Sequence, residues 1–395
     1  MNNNRTAKIR RQGTHTVLPR TDRVGGEAES IVSDERRFDT VAKLGEGGMG
    51  QVDLVSDKDI GRLVAVKRLK NSEDAEHVMR FAREVRCLGQ LEHPGIVPVH
   101  DVGLAEDGSY FLVMKHLEGE TLEALIQRLR AGNADSHAAF PMQERVRICE
   151  AVLRIIEYAH DRGVIHRDIK PSNIMIGRHG EVTVVDWGLA KQINIGDAAP
   201  SDGLADALEN RTDSLSSDQT VDSRTSRTQT GTTLGTPLYM SPEQASGSFD
   251  VLGSASDLYS MGVVFYELLS LEHYIGTPND ITTTLDSVIG HDARLAYWVI
   301  SPHQQRVPIE LAYWLQKAMR KAPQDRFDSA MEMRNELQRA IGGHFDVVCP
   351  TTFSRRVFRC GMDSANKRPL LTLLAMAAGT AFCGYGAWRM LMDWL

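Results

Sequence analysis

The residues densest in chemical possibility are His166-Arg167-Asp168-Ile169-Lys170-Pro171-Ser172-Asn173, followed by a strand-like apolar run at 182–185 and then Asp186-Trp187-Gly188. Transfer of a terminal phosphoryl group needs a carboxylate to orient the attacking hydroxyl, oxygen donors for a divalent cation and a positive charge beside the phosphate. Asp168, the pair Asn173 and Asp186, and Lys170 supply these in that order. The competing reading is a surface loop rich in Asp and Asn.

Two further signals lie upstream. In Gly45-Glu46-Gly47-Gly48-Met49-Gly50-Gln51-Val52 the glycines let a hairpin bend closely over phosphates and present backbone N–H groups to them. The same spacing also occurs in dinucleotide-binding turns, but those lead into a helix, whereas residues 51–55 carry a strand pattern. A plain glycine-rich turn is the alternative. Next, Val64-Ala65-Val66-Lys67 puts a lysine on the following strand, where burial would require an anionic partner. Glu84, on the helix after it, is the natural carboxylate. Taken singly, Lys67 reads equally well as an edge lysine with its head in water, and Glu84 as part of a solvated helix face.

The elements that must hold these groups fall into two sets. Short alternating apolar runs at 41–44, 52–55, 63–66 and 111–114 predict strands, and Val78, Phe81, Val85 and Leu88 mark one face of a helix over 75–91. Beyond Leu117 the pattern is helical, at 144–160, 255–270, 309–319 and 329–341. The predicted class is α+β: a small, mostly β lobe at 36–115 and a larger, mostly α lobe at 116–341.

Residues 1–35 carry Arg5, Lys8, Arg10, Arg11, Arg20 and Arg23 with little apolar periodicity, which predicts a disordered basic tail. A stretch dense in Ser, Thr, Asp and Gly at 195–228 predicts an unstructured acidic insertion. After a linker at 342–368, residues 369–388 contain no charge, and at helical rise such a stretch spans about 30 Å, enough to cross a bilayer once. Arg355, Arg356, Arg359, Lys367 and Arg368 precede it, which places the bulk of the chain in the cytoplasm, with a short tail at 389–395 beyond and no external sensor domain. A buried C-terminal helix is the alternative. Ala375, Gly379, Cys383 and Ala387 recur at a spacing that lets two such helices pack as a homodimer.

Composition bounds the function classes. With 42% hydrophobic and 25% charged residues the chain is globular, and a net charge of −7 provides no basic field for nucleic acid. Its five cysteines form no paired pattern and read as reduced thiols.

On the motifs quoted, residues 38–341 resemble a Hanks-type protein kinase of the bacterial serine/threonine class. The resemblance implies a bilobal kinase fold, ATP with Mg²⁺ (Mn²⁺ as an alternative) as cofactors, and protein Ser/Thr hydroxyls as acceptors. It implies that Gly45, Glu46, Gly47, Gly48 and Gly50 form the lid over ATP, that Lys67 holds the α- and β-phosphates, and that Glu84 pairs with Lys67. Asp168 would be the catalytic base, Lys170 the γ-phosphate contact, and Asn173 and Asp186 the metal ligands. Val52, Ala65 and Met175 would sandwich adenine, with Met114 behind it and the backbone of Lys115 and Leu117 at its edge. Glu243 would pair with Arg326, and Asp257 would brace the catalytic loop. Lys170 and Thr236 favour serine or threonine over tyrosine, and a phosphate on Thr228, Thr230, Thr232 or Thr233 would meet Arg167.

The chain departs from the family pattern at Trp187, which stands for a phenylalanine, at Ser241, which stands for an alanine, and at Lys115, where relatives often carry a glutamate. The alternatives are a catalytically silent kinase-like module anchored to a membrane, and a small-molecule kinase, which would lack the threonine-rich loop and Ser241-Pro242-Glu243.

Overall fold

A computed structural model describes residues 20–24, 27–31, 37–47, 50–70, 73–105, 107–192, 237–248, 252–276 and 280–342, and Ser354. Gly48, the insertion at 195–228, the threonines from Thr228 to Thr236, the segment 369–388, the tail 389–395 and all of the linker but Gly342 and Ser354 lie outside the described residues.

Within the first 35 residues, β1 (Arg20–Val24) and β2 (Glu27–Ile31) pair antiparallel with Val24 opposite Glu27. The expectation of a tail without structure is corrected over these strands. The ladder satisfies the backbone of these two strands locally.

The small lobe is a five-stranded antiparallel sheet of β3 (Phe38–Glu46), β4 (Gly50–Asp57), β5 (Arg62–Leu69), β6 (Val99–Leu104) and β7 (Tyr110–Lys115), in the order β3-β4-β5-β7-β6. Side chains alternate across a strand, so Val64 and Val66 join Val55, Phe111 and Val113 in a small cluster on one face. Ala65, Lys67 and Leu69 point the other way, and Lys67 lies between Val52 on β4 and Leu112 on β7. Helix α1 (Ala75–Gln90) buries Phe81 and Leu88 in the main core. Glu84 shares that inward stripe, one turn from each, and is 3% exposed.

The large lobe begins with β8 (Gly119–Thr121) and α2 (Leu122–Arg130), whose N-terminus is capped by the Thr121 hydroxyl accepting from the Ala124 N–H. Then come α3 (Ala134–Ala139), α4 (Met142–His160), β9 (Val164–Ile165), β10 (Ile174–Gly177), β11 (Val182–Val184) and β12 (Lys191–Gln192). The strands form two small sheets, β11-β10-β8 and β12-β9. After these come α5 (Pro242–Ala245), α6 (Ser254–Ser270), α7 (Ile281–Gly290), α8 (Ile309–Ala318) and α9 (Ala330–Gly342).

Helix α6 is buried on every side from Ser256 to Ser270, so it is the axis on which the lobe is built. Ser241, the residue that departs from alanine, completes a capping box: its hydroxyl accepts from the Gln244 N–H while the Gln244 side chain accepts from the Ser241 N–H. Among the described residues no helix is long and apolar enough to cross a membrane.

Candidate active site

The lid comes first in the chain. Gly45 and Glu46 end β3, paired with Val52 and Gln51, and the Gly47 N–H donates to the Gly50 carbonyl at 2.9 Å. The three glycines here fall into two cases. A Cβ at Gly50 would stand 2.3 Å from the Arg68 carbonyl oxygen, so the close approach of β4 to β5 requires it. A Cβ at Gly45 or Gly47 would meet nothing within 4 Å, so packing against the described residues does not require glycine at either position. Gly50→Ala is therefore expected to cost about 1–3 kcal/mol of stability in chemical denaturation. Gly47→Ala should leave the unfolding midpoint in place and weaken nucleotide binding; equal stability losses in both variants would refute this contrast. Glu46 pairs with Lys43 and Lys70, foremost through the Lys43 hydrogen bond, and its carboxyl falls to about 2.

Below the lid, the Lys67 ammonium donates to both carboxylate oxygens of Glu84, at 2.6 and 2.8 Å, and lies 3.5 Å from Asp186 Oδ1. Burial alone would push the Lys67 pKa down; the carboxylates of Glu84 and Asp186 outweigh that and raise it, so the amine stays charged. The Asp186 carboxyl is pushed up by enclosure and pulled below its ordinary value foremost by Lys67, with Lys170 adding to it. Asp186 is thus an anion held toward cations.

The second cluster is built on the turn after β9. Lys170 Nζ donates to Asp168 Oδ2 at 2.7 Å. The Asn173 amide nitrogen donates to the Asp168 carbonyl at 2.9 Å and to Asp168 Oδ2 at 3.2 Å. With its NH₂ so engaged, the Asn173 amide oxygen is the atom left to serve a cation. The Val185 N–H donates to the Asn173 carbonyl at 2.9 Å, which ties this turn to the segment carrying Asp186.

His166 joins the two carboxylate segments, a role the sequence did not assign. Its Nε2 donates to the Val185 carbonyl at 3.1 Å and its Nδ1 accepts from the Asp168 N–H at 3.3 Å. A carbonyl can only accept, so the proton is on Nε2 and the imidazole is a strut between Asp168 and Asp186. Beneath it, Asp257 of α6 accepts the backbone N–H of His166 at 2.9 Å and of Arg167 at 2.8 Å, and contacts His160 Nε2 at 2.9 Å. Burial drives the Asp257 carboxyl upward, but the His160 hydrogen bond foremost and the loop amides hold it below its ordinary value. Arg167 has φ of 68°, a left-handed conformation that a non-glycine residue keeps only when its surroundings impose it. Asp257 and Gln244, whose side chain donates to the Arg167 carbonyl at 2.8 Å, impose it.

Other expected residues occupy these places. Ala65 is directly across from Met114, Lys115 ends β7 and donates its N–H to the Pro98 carbonyl at 3.2 Å, Leu117 lies in the connection to the large lobe, and Met175 is on β10 opposite Thr121. Glu243 and Arg326 form a bidentate pair, at 2.8 Å for each bond. A cavity of about 940 Å³ is walled by the 115–118 connection together with Leu91, Ile96, Val99 and Met175 among others. Lys115, Leu117 and Met175 line it, while Lys67, Asp168, Asn173 and Asp186 do not.

A divalent ion fits the donor set only in company. Among the described residues no three His, Cys, Asp or Glu side chains form a metal cage. Asn173 and Asp186 bring two oxygen-bearing groups, the partial shell expected of Mg²⁺ that completes its coordination with phosphates and water.

The protein kinase domain family matches residues 38–337. The chain is 30% identical over 320 residues to the serine/threonine-protein kinase PknD of Protochlamydia amoebophila, covering 79% of this chain and 30% of that protein. It is 33% identical over 312 residues to the serine/threonine-protein kinase PknB of Mycobacterium leprae, covering 78% and 43%. To the PknD of Chlamydia caviae it is 29% identical over 313 residues, covering 78% and 31%. The chain thus spans less than half the length of these relatives.

Proposed function

This chain belongs to the protein kinase family, in its Hanks-type bacterial serine/threonine class, and from that premise we propose that it transfers the γ-phosphoryl group of ATP to serine or threonine hydroxyls of proteins. The observation that carries this reading is the convergence of two clusters, Lys67–Glu84–Asp186 and Asp168–Lys170–Asn173, joined through the His166 imidazole.

Each group has a part that follows from its position. Gly45 and Gly47 leave room beneath the lid for phosphate oxygens to meet backbone N–H groups. Lys67, kept charged by Glu84, holds the α- and β-phosphates. Asp168 accepts the proton of the incoming hydroxyl and fixes its direction of attack, and Lys170 beside it balances charge on the moving phosphoryl group. Asn173 and Asp186 would hold Mg²⁺ or Mn²⁺, which when bound neutralises charge on the β- and γ-phosphates. Val52, Ala65, Met114 and Met175 would enclose adenine, with the backbone of Lys115 and Leu117 at its edge. The silent-module alternative has no such observation in its favour, and Lys67, Asp168, Asn173 and Asp186 are all present in the sequence.

Purified protein incubated with γ-labelled ATP, Mg²⁺ and a general protein acceptor should yield phosphoserine or phosphothreonine on acid hydrolysis. Label confined to phosphotyrosine, or none on protein, would count against the reading.

Two further parts of the proposal rest on the sequence. The uncharged stretch 369–388, with its basic flank from Arg355 to Arg368, anchors the chain in a membrane as a single span, with the kinase lobes in the cytoplasm and a self-packing face for a second copy. In liposome flotation the full chain should rise with the lipid and a chain ending at residue 368 should stay below; flotation of both would place the anchor elsewhere. The threonines between Thr225 and Thr236 are proposed as sites of autophosphorylation, read by mass spectrometry of active protein.

A further inference from the structure

Lys321 follows the end of α8 and sends its side chain into the large lobe, far in the sequence from the phosphoryl-transfer groups. Its Nζ donates to the Tyr259 hydroxyl on α6 at 3.0 Å and to the Val288 carbonyl on α7 at 2.7 Å. Both acceptors are neutral. Lys317, one turn earlier, pairs with Glu332 at 2.9 Å, whereas Lys321 makes no ion pair among the described residues. It lies instead over two aromatic rings, 5.4 Å from the centroid of Tyr259 and 5.2 Å from that of Tyr274, whose hydroxyls bond each other at 2.9 Å. A second cation, the Arg326 guanidinium, stands 4.9 Å from the Tyr259 ring.

This cluster treats an amine differently from the one around Lys67. There two carboxylates outweigh burial and keep the ammonium charged. Here half-burial foremost, with Arg326 adding and only Asp292 opposing, brings the Lys321 pKa down to about 8. At pH 7 that leaves roughly a tenth of the amines neutral, against less than about a thousandth for an ordinary lysine. The geometry suits the neutral form. Two N–H groups are enough for the bonds to Tyr259 and Val288, so loss of the third proton breaks neither and leaves the lone pair in its place. A lysine desolvated beside another cation is an activated nucleophile.

We propose that Lys321 is a site of acylation, its amine held by the Tyr259 hydroxyl and the Val288 carbonyl without a carboxylate partner, and that it takes the acyl group from an acyl phosphate. The lone pair on Nζ attacks the acyl carbon, the bond from that carbon to the phosphate oxygen breaks, and inorganic phosphate leaves. One proton passes from the nitrogen to water, and the product is a neutral amide that keeps a single N–H.

The test incubates the full wild-type chain with acetyl phosphate between about pH 6.5 and 9.5, a span that brackets the Lys321 titration and stays below that of an ordinary lysine. Peptide mass spectrometry follows acetylation at Lys321 and at Lys317, the internal reference, in buffer and in urea. At about pH 7.5 Lys321 should react at least about 10-fold faster than Lys317, a margin that allows for the lower basicity of its amine. Its rate should level off above about pH 8 while that of Lys317 keeps rising, and urea should bring the two together. Equal rates in buffer overturn the proposal. So does a Lys321 rate that climbs in parallel with that of Lys317 to the top of the range. Acetylation of Lys321 in urea alone would show an amine sealed from the reagent, and a preference that survives urea would assign it to neighbours in the sequence; either result overturns the site.

Discussion

Asp168→Asn is expected to lower kcat for phosphoryl transfer by a factor of about 10²–10⁴, the range that a positioned general base contributes. The substitution keeps the shape of the side chain and leaves an oxygen to accept from Lys170 Nζ or Asn173 Nδ2, its present partners at 2.7 and 3.2 Å. It removes the carboxylate proposed to take the hydroxyl proton. Nucleotide affinity should stay within about 3-fold, because Lys67 and Asp186, proposed to hold the phosphates and the metal, are paired with Glu84 and each other rather than with Asp168. Steady-state transfer rates and calorimetric binding of an ATP analogue separate the two quantities. A kcat within tenfold of wild type, or a parallel collapse of binding, would remove Asp168 from the role given to it.

The largest expected effect on stability is at Arg326. Its guanidinium is fully buried, and all five of its protons are placed: two on Glu243, and one each on the carbonyls of Ala255, Arg320 and Lys321. Glu243 in turn accepts from the Ser256 hydroxyl at 2.7 Å, and burial notwithstanding, the Arg326 hydrogen bond foremost keeps its carboxyl below the ordinary value. Arg326→Met removes the only cation of the pair and strands a carboxylate in the core, a loss of about 3–5 kcal/mol. Lysine should rescue little, since it cannot reproduce the planar fork. Chemical denaturation checks both, and a loss under about 1 kcal/mol for Arg326→Met would show that the pair is not what locks α5 to α6 and the turn before α9. The double variant with Glu243→Gln should recover part of the loss, because the stranded charge is then absent.

Much of the site could be read before any coordinates. Asp168, Lys170, Asn173 and Asp186 sit close together in the chain, and the antiparallel pair β10 and β11 between Asn173 and Asp186 brings the chain back, so local spacing was enough. Lys67 and Glu84 were legible because a period-two strand and a period-3.6 helix each aim one residue inward. What the sequence hid is the set of contacts between residues distant in the chain. His166 as a strut, His160 against Asp257 and Gln244 on the Arg167 carbonyl all depend on how α4, α5 and α6 come together. Arg145 is the extreme case: it is 2% exposed and reaches the Phe140 and Leu268 carbonyls and the Gln304 amide, yet no periodicity in α4 marks it as a buried cation. The N-terminal hairpin was missed for another reason. Its charged composition resembles a solvated tail, and no apolar alternation marks its two strands. Trp187 was visible as a departure from the family pattern, but the hydrogen bond its indole N–H donates to the Val184 carbonyl was not, because a side-chain donor returning three residues leaves no trace in composition.

The central claim is that Lys67, Asp168, Asn173 and Asp186 serve one nucleotide triphosphate with its metal, and calorimetric titration of the protein with an ATP analogue, with and without Mg²⁺, addresses it most directly. Tight binding that depends on Mg²⁺ in the wild type, and loses that dependence in Asp186→Asn, is the predicted result. Binding indifferent to Mg²⁺, or a Mg²⁺ dependence that survives Asp186→Asn unchanged, would contradict it.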